Sequence, residues 1–203
     1  MWDKAAWRAE ILARRKALAP ETREHEADAL IRQIGVLPWR FPAPPVRGAA
    51  PGVAETMWVC AYVPVGGEPG SIAMLDALRA RGARVLLPVT GEPGPLEWAE
   101  YRGPERLRRG RFGLREPDGE PIADALGLAE VILIPALAVD RRGTRLGRGA
   151  GYYDRSLGTS RADARLVAVV RDDEVVDNLP AESHDHRMGW ALTPFGGLLE
   201  LGE

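Results

Sequence analysis

The chain of 203 residues is 45% hydrophobic and 28% charged, an ordinary globular balance whose core can form without disulfides or metal staples. A formal net charge of -2 gives no global field to recruit nucleic acid or an anionic membrane, and the lone Cys60 excludes an internal disulfide. No segment approaches the roughly 18 consecutive apolar residues of a membrane span, and the Met1-Trp2-Asp3-Lys4 start lacks signal-peptide character, so a cytoplasmic protein is expected; a monomer is the separate expectation for its assembly.

Asp3 is placed to cap a first helix over residues 3–18, with Trp7, Ile11 and Leu18 on one stripe and Lys4, Arg8 and Arg15 projecting from an adjacent face. Residues 20–34 read as a second helix with an acidic first turn and Ala27, Leu30, Ile31 and Ile34 inward. Residues 38–56 are proline-rich and aperiodic, the pattern of a surface loop. From Met57 the chain alternates: strand 57–63, a helix 71–81 behind a Ser71 cap, and strand 84–88. A short strand at 96–98, a weak helix at 124–129 and strands at 131–134, 165–170 and 190–193 follow. Continuous apolar strands alternating with helices predict an α/β fold: a single domain with a mostly parallel β-sheet and helices on both faces.

The strongest chemical signal is Arg145-Leu146-Gly147-Arg148-Gly149-Ala150-Gly151-Tyr152-Tyr153-Asp154. It follows a buried strand, on the side of a parallel sheet where ligands collect. Glycines let backbone N–H groups approach phosphate oxygens, and two arginines supply cationic forks for the same oxygens. The run is neither a P-loop nor the dinucleotide G-x-G-x-x-G pattern. A solvated surface loop accounts for the glycines alone, whereas the added arginines, tyrosines and aspartate favour a phosphate-handling loop.

Other candidates are each weighed against a plainer role. Asp154 suits Mg2+ beside bound phosphates, with Asp185 as a second ligand; Asp140 reads more readily as a loop or cap residue. His184-Asp185-His186 lacks a third partner for a transition metal. The Lys4, Arg8 and Arg15 stripe is either a solvated face or a cover for a triphosphate. Arg106, Arg108, Arg109 and Arg111 lack the interleaved aromatics of a nucleic-acid surface. Glu68, in a polar turn after a strand, is able to hydrogen-bond a heterocycle, though a surface turn is the default. Cys60 sits in an apolar run, as an inert core thiol does.

Taken together, the residues resemble the 5-formyltetrahydrofolate cyclo-ligase (5,10-methenyltetrahydrofolate synthetase) family nearly end to end, apart from the proline-rich stretch. The most specific part is Ile134-Pro135-Ala136-Leu137-Ala138-Val139-Asp140, Gly143 and residues 145–155. Weaker matches are Lys4-x-x-x-Arg8 with Arg15, residues 62–68, 82–88 and 112–117, and residues 179–185. Ala150 stands where the family often has glycine or lysine, and Pro69-Gly70 departs from the usual residues after Glu68.

The resemblance implies an ATP site formed by Lys4, Arg8 and residues 145–153, with Lys4, Arg145 and Arg148 catalytic. It implies Mg2+ near Asp154 and Asp185, and reduced-folate contacts at Val63, Glu68, Phe112 and Tyr152. The implied reaction converts 5-formyltetrahydrofolate to 5,10-methenyltetrahydrofolate as ATP becomes ADP and phosphate, with the formyl oxygen phosphorylated and then displaced by N10. Such chemistry needs positioning and charge neutralisation rather than a protein nucleophile. The alternatives are a nucleotide- or folate-binding module of the same fold without turnover, and an ATP-dependent ligase for another small amide or carboxylate.

Overall fold

A computed structural model describes residues 2–39, 57–90, 94–182 and 185–202. Asp3 caps α1 (Lys4–Ala17) by accepting the Ala6 N–H at 2.8 Å, and Pro20, which has no N–H to lose, starts α2 (Pro20–Val36). The expected loop at 38–56 lies outside the described residues apart from Pro38 and Trp39. Then come β1 (Trp58–Cys60), α3 (Ile72–Ala80), β2 (Arg84–Val89), β3 (Glu97–Glu100), β4 (Leu107–Arg109), β5 (Arg115–Pro117), α4 (Ala125–Leu128) and β6 (Val131–Pro135). The remaining elements are β7 (Ala138–Asp140), β8 (Arg145–Leu146), α5 (Tyr152–Ser156), β9 (Arg165–Val169), β10 (Val175–Val176), β11 (Trp190–Thr193) and β12 (Gly197–Glu200).

Among the described residues, seven strands form one sheet in the order β12-β11-β9-β6-β1-β2-β3. The inner pairs are parallel, and β3 and β12 close the two edges antiparallel. Because both faces are covered, alternate residues of one strand enter different cores. Val131 and Leu133 join Leu30 and Ile34 of α2 and Met74, Leu75 and Leu78 of α3. Ile132 and Ile134 join Leu126 of α4, Leu157 and Trp98. Long helices therefore cover one face, while the other is covered by the four-residue α4, a 3-10 turn at Leu157–Thr159 and flanking segments. Helix α1 stands apart, burying Ile11 against Ala138 and Leu146 of a second sheet, β10-β7-β8, and against Leu137 and Leu179 beside it.

Two sequence expectations change here. The first strand ends at Cys60 rather than Val63, which releases residues 61–70 as a loop. Ser71 makes no side-chain cap bond. The helix after the glycine run has only five residues, so its dipole adds little and the loop's backbone and side chains must carry any anion binding. From β1 the sheet grows one way through β2 and the other way through β6, and that reversal places a crevice beyond the carboxyl ends of the central strands.

Candidate active site

A cavity of about 520 Å³ occupies that crevice, within the usual range for small-molecule sites. Tyr62, Val63, Val65 and Glu68 follow β1, Pro88 lies at the end of β2 with Thr90 just beyond it, and Pro135 ends β6. Residues 145–154 line it from β8 through the glycine run to α5. Lys4 and Arg8 enter from α1, with Glu182 and Asp185 from the last loop.

The glycine run is held from two sides. Arg8 Nε donates to the Gly147 carbonyl at 3.0 Å, and Gly149, at φ 100°, occupies backbone space that L side chains avoid. A Cβ on Gly149 would also sit 3.4 Å from the Arg8 guanidinium carbon, so the glycine permits the close approach of α1. Arg145 is buried, bonds Asp154 Oδ1 at 2.7 Å and lies 5.7 Å from the centre of the Tyr153 ring. Tyr153 in turn packs edge-on to Trp98 with centroids 6.3 Å apart. Burial raises the Tyr153 hydroxyl pKa far above the ordinary tyrosine value, and Glu68 reinforces the shift. Tyr62 shifts the same way for the same reasons and donates to the Pro69 carbonyl at 2.7 Å.

Opposite the glycine run, the turn at 65–68 folds Glu68 inward. Its Oε2 accepts the Val65 N–H at 3.0 Å, and its Oε1 meets Arg148 Nε at 3.2 Å. The Glu68 side chain is 8% exposed and that of Arg148 is 46% exposed. Burial raises the Glu68 pKa, while the Val65 N–H, Arg148 and Arg15 pull it back. Lys4 Nζ meets both oxygens of Asp185, at 2.9 and 3.2 Å, and Glu182 at 3.3 Å. The cavity is thus cationic along the glycine run and α1, with a buried carboxyl at the other side.

A family model for the 5-formyltetrahydrofolate cyclo-ligases matches residues 1–194. The chain belongs to the 5-formyltetrahydrofolate cyclo-ligase family. It is 48% identical to the 5-formyltetrahydrofolate cyclo-ligase of Mycolicibacterium smegmatis over 98% of this chain and 97% of that one. It is 29% identical to the Escherichia coli cyclo-ligase over 91% of this chain and 96% of that one. The NMR structure of Aquifex aeolicus 5,10-methenyltetrahydrofolate synthetase is similar at a TM-score of 0.76 and 25% identity, over 98% and 93% of the two chains. Membership of the cyclo-ligase family makes the chain a ligase of folate one-carbon metabolism.

Against the cyclo-ligase resemblance, the structure gathers Lys4, Arg8, Val63, Glu68, residues 145–153, Asp154 and Asp185 around one cavity. The Phe112 side chain and His184 lie outside what the structure describes. Arg15 leaves the stripe: it is buried, with Nε and a terminal nitrogen each 2.7 Å from Glu174. Asp154 and Asp185 are each engaged by a cation, Arg145 and Lys4 respectively. Among the described residues no group of three or more His, Cys, Asp or Glu side chains is placed to hold a metal, and no helix is long and apolar enough to cross a membrane. Asp140 takes its plainer role, accepting N–H bonds from Arg142, Thr144 and Leu179 at 2.8–3.0 Å. Burial pushes the Cys60 thiol pKa up, as an inert core thiol requires.

Sequence reasoning missed Thr90 and Glu116. Buried Glu116 accepts the Thr90 N–H at 3.0 Å and its hydroxyl, joining the cavity wall of β2 to β5. The Arg115-Glu116-Pro117 match pointed to the segment, but nothing near Thr90 marked its partner.

Proposed function

We propose that this cavity binds ATP along residues 145–153 with Lys4 and Arg8, binds 5-formyltetrahydrofolate beside Val63, Glu68 and Tyr152, and closes the folate ring at ATP's expense. One observation carries the reading: three cations, Lys4, Arg8 and Arg148, and the backbone of the glycine run face the same cavity as the buried Glu68 carboxyl. Phosphoryl transfer asks for cations around the moving charge, and a pterin ring asks for a fixed hydrogen-bonding group.

The chemistry then runs through these residues. Glu68 holds the pterin so that the N5 formyl oxygen faces the γ-phosphorus. The oxygen attacks, the bond to the β–γ bridging oxygen breaks, and ADP leaves. Lys4, Arg145 and Arg148 hold the charge on the transferring group. N10 attacks the activated carbon and loses its proton, and the C–O bond breaks to release phosphate. Mg2+, when bound, neutralises phosphate oxygens. Asp154 fits as its protein ligand, since its side chain is a quarter exposed and one arginine engages one of its oxygens. Both oxygens of Asp185 already face Lys4, and one also accepts the Glu182 N–H at 2.8 Å, so its role is to hold that ammonium at the phosphates.

Purified protein mixed with 5-formyltetrahydrofolate, ATP and Mg2+ should generate the methenyl chromophore and ADP in equal amounts. Folded protein that binds ATP or folate by calorimetry but forms no chromophore would instead be a binding module of the same fold.

A further inference from the structure

Outside the cavity lies a buried ionic quartet that the proposed chemistry does not use. Arg15, Glu26, Arg171 and Glu174 are each at most 8% exposed, and none lines the cavity. Arg171 Nε donates to Glu26 at 2.8 Å, and its backbone N–H donates to Glu174 at 2.8 Å. Arg15 forks onto both Glu174 oxygens, and its other contact, at 2.6 Å, is the Ala136 carbonyl just after β6. Two arginines and two glutamates balance in charge. Burying such a set gains little over an apolar core of equal volume, so its distinctive contribution is to fix positions.

The positions it fixes are those of the Glu68 turn. Arg171 Nη1 donates to the Gly67 carbonyl at 2.9 Å, immediately before the residue placed at the folate. Gly67 lies so close to α1 that a Cβ there would come within 3.0 Å of Arg15 Cβ and 3.4 Å of the Arg15 carbonyl. We infer that Arg171 is a positioning residue for the folate half of the site: its guanidinium, anchored by Glu26 and the 171–174 turn, seats the Gly67 peptide against α1 and so sets where the Glu68 carboxylate stands. This rests on the reading of Glu68 as a folate contact. Only a planar fork spans Glu26 and the Gly67 carbonyl together; a lysine keeps the charge but reaches one of them.

The test is steady-state kinetics on the full-length protein with 5-formyltetrahydrofolate and ATP varied separately. Arg171→Lys is expected to raise the folate KM about tenfold, less than the roughly hundredfold that a full 1 Å misplacement can cost, with the ATP KM changed by less than about twofold. Gly67→Ala, which alters no charge and lifts the turn off Arg15, should give the same split, and it decides the matter if Arg171→Lys fails to fold. Adding Arg171→Lys to Glu68→Gln should raise the folate KM no further than Glu68→Gln alone, since both act through one contact. A folate KM unmoved in both folded variants, parallel losses in both KM values and kcat, or full additivity with Glu68→Gln overturns the inference. If Glu68→Gln itself leaves the folate KM unchanged, the underlying reading of Glu68 fails and takes the inference with it. If Glu68→Gln raises that KM while Arg171→Lys and Gly67→Ala do not, only the positioning role fails.

Discussion

Arg148→Ala separates catalysis from folding more cleanly than any other change at this site. Nearly half of the Arg148 side chain is exposed, and its partners are Glu68 at 3.2 Å and the Val65 carbonyl at 3.4 Å. Only the Arg148 end of this pair is exposed, and buried Glu68 can take up a proton once the arginine is lost, so the change should cost about 1 kcal/mol of stability and lower the melting temperature by no more than about 4 °C. Loss of a cation that neutralises a transferring phosphoryl group costs about 2–4 kcal/mol in the transition state, or roughly 30- to 1,000-fold in kcat/KM for ATP. A second effect runs through Glu68. Burial raises its pKa and Arg148 opposes that shift, so the variant leaves burial less opposed and Glu68 protonates at higher pH. If the ionised carboxylate holds the folate, the acid limb of kcat/KM for 5-formyltetrahydrofolate moves to higher pH in the variant. Chromophore formation followed across pH at saturating ATP reads this shift, and a titration of ATP reads the first effect. Wild-type kinetics in a folded Arg148→Ala protein would refute the reasoning and return residue 148 to the surface.

Glu68→Gln should raise the folate KM while leaving thermal stability equal or higher. The folded pKa of Glu68 lies above its unfolded value, so its ionisation opposes folding at neutral pH and stops doing so below the ordinary carboxylate range; melting curves at pH 7 and pH 4 should show the variant's advantage only at the higher pH. Asp140→Ala strands the N–H groups of Arg142 and Thr144 in its own turn and of Leu179 in a second loop, two of the three bonds being buried, and should cost on the order of 3 kcal/mol, read by denaturant melts, with the remaining folded enzyme keeping its KM values; a loss below about 1 kcal/mol would deny Asp140 its structural role. Asp154→Asn should weaken the apparent Mg2+ affinity on the order of tenfold, whereas Asp185→Asn should leave it and raise the ATP KM through Lys4. The reverse pattern in a Mg2+ titration would exchange the two assignments.

The central sheet was legible because parallel strands buried on both faces are continuous apolar runs, and residues 131–134 and 165–170 fell within a residue of the observed β6 and β9. The small sheet β10-β7-β8 and the hairpin β4-β5 were not, since strands of two or three residues show no period. In the hairpin, Arg108 and Arg109 further hide any apolar alternation. The Lys4, Arg8 and Arg15 stripe shows the limit of helical phase. Eleven residues return Arg15 to nearly the direction of Lys4 around the helix, yet displace it about 16 Å along the axis, where Glu174 takes it. The glycine run was visible because its residue types are unusual in one stretch. Its contact with Arg8 and the pairing of Arg148 with Glu68 span 139 and 80 positions and depend on the switch point of the sheet.

In the proposed reaction the formyl oxygen leaves as part of phosphate. Turnover of 5-formyltetrahydrofolate labelled with oxygen-18 in the formyl group, followed by mass analysis of the released phosphate, tests this directly. One labelled oxygen per phosphate is the predicted result; unlabelled phosphate with the label in water would contradict activation by phosphoryl transfer at this site.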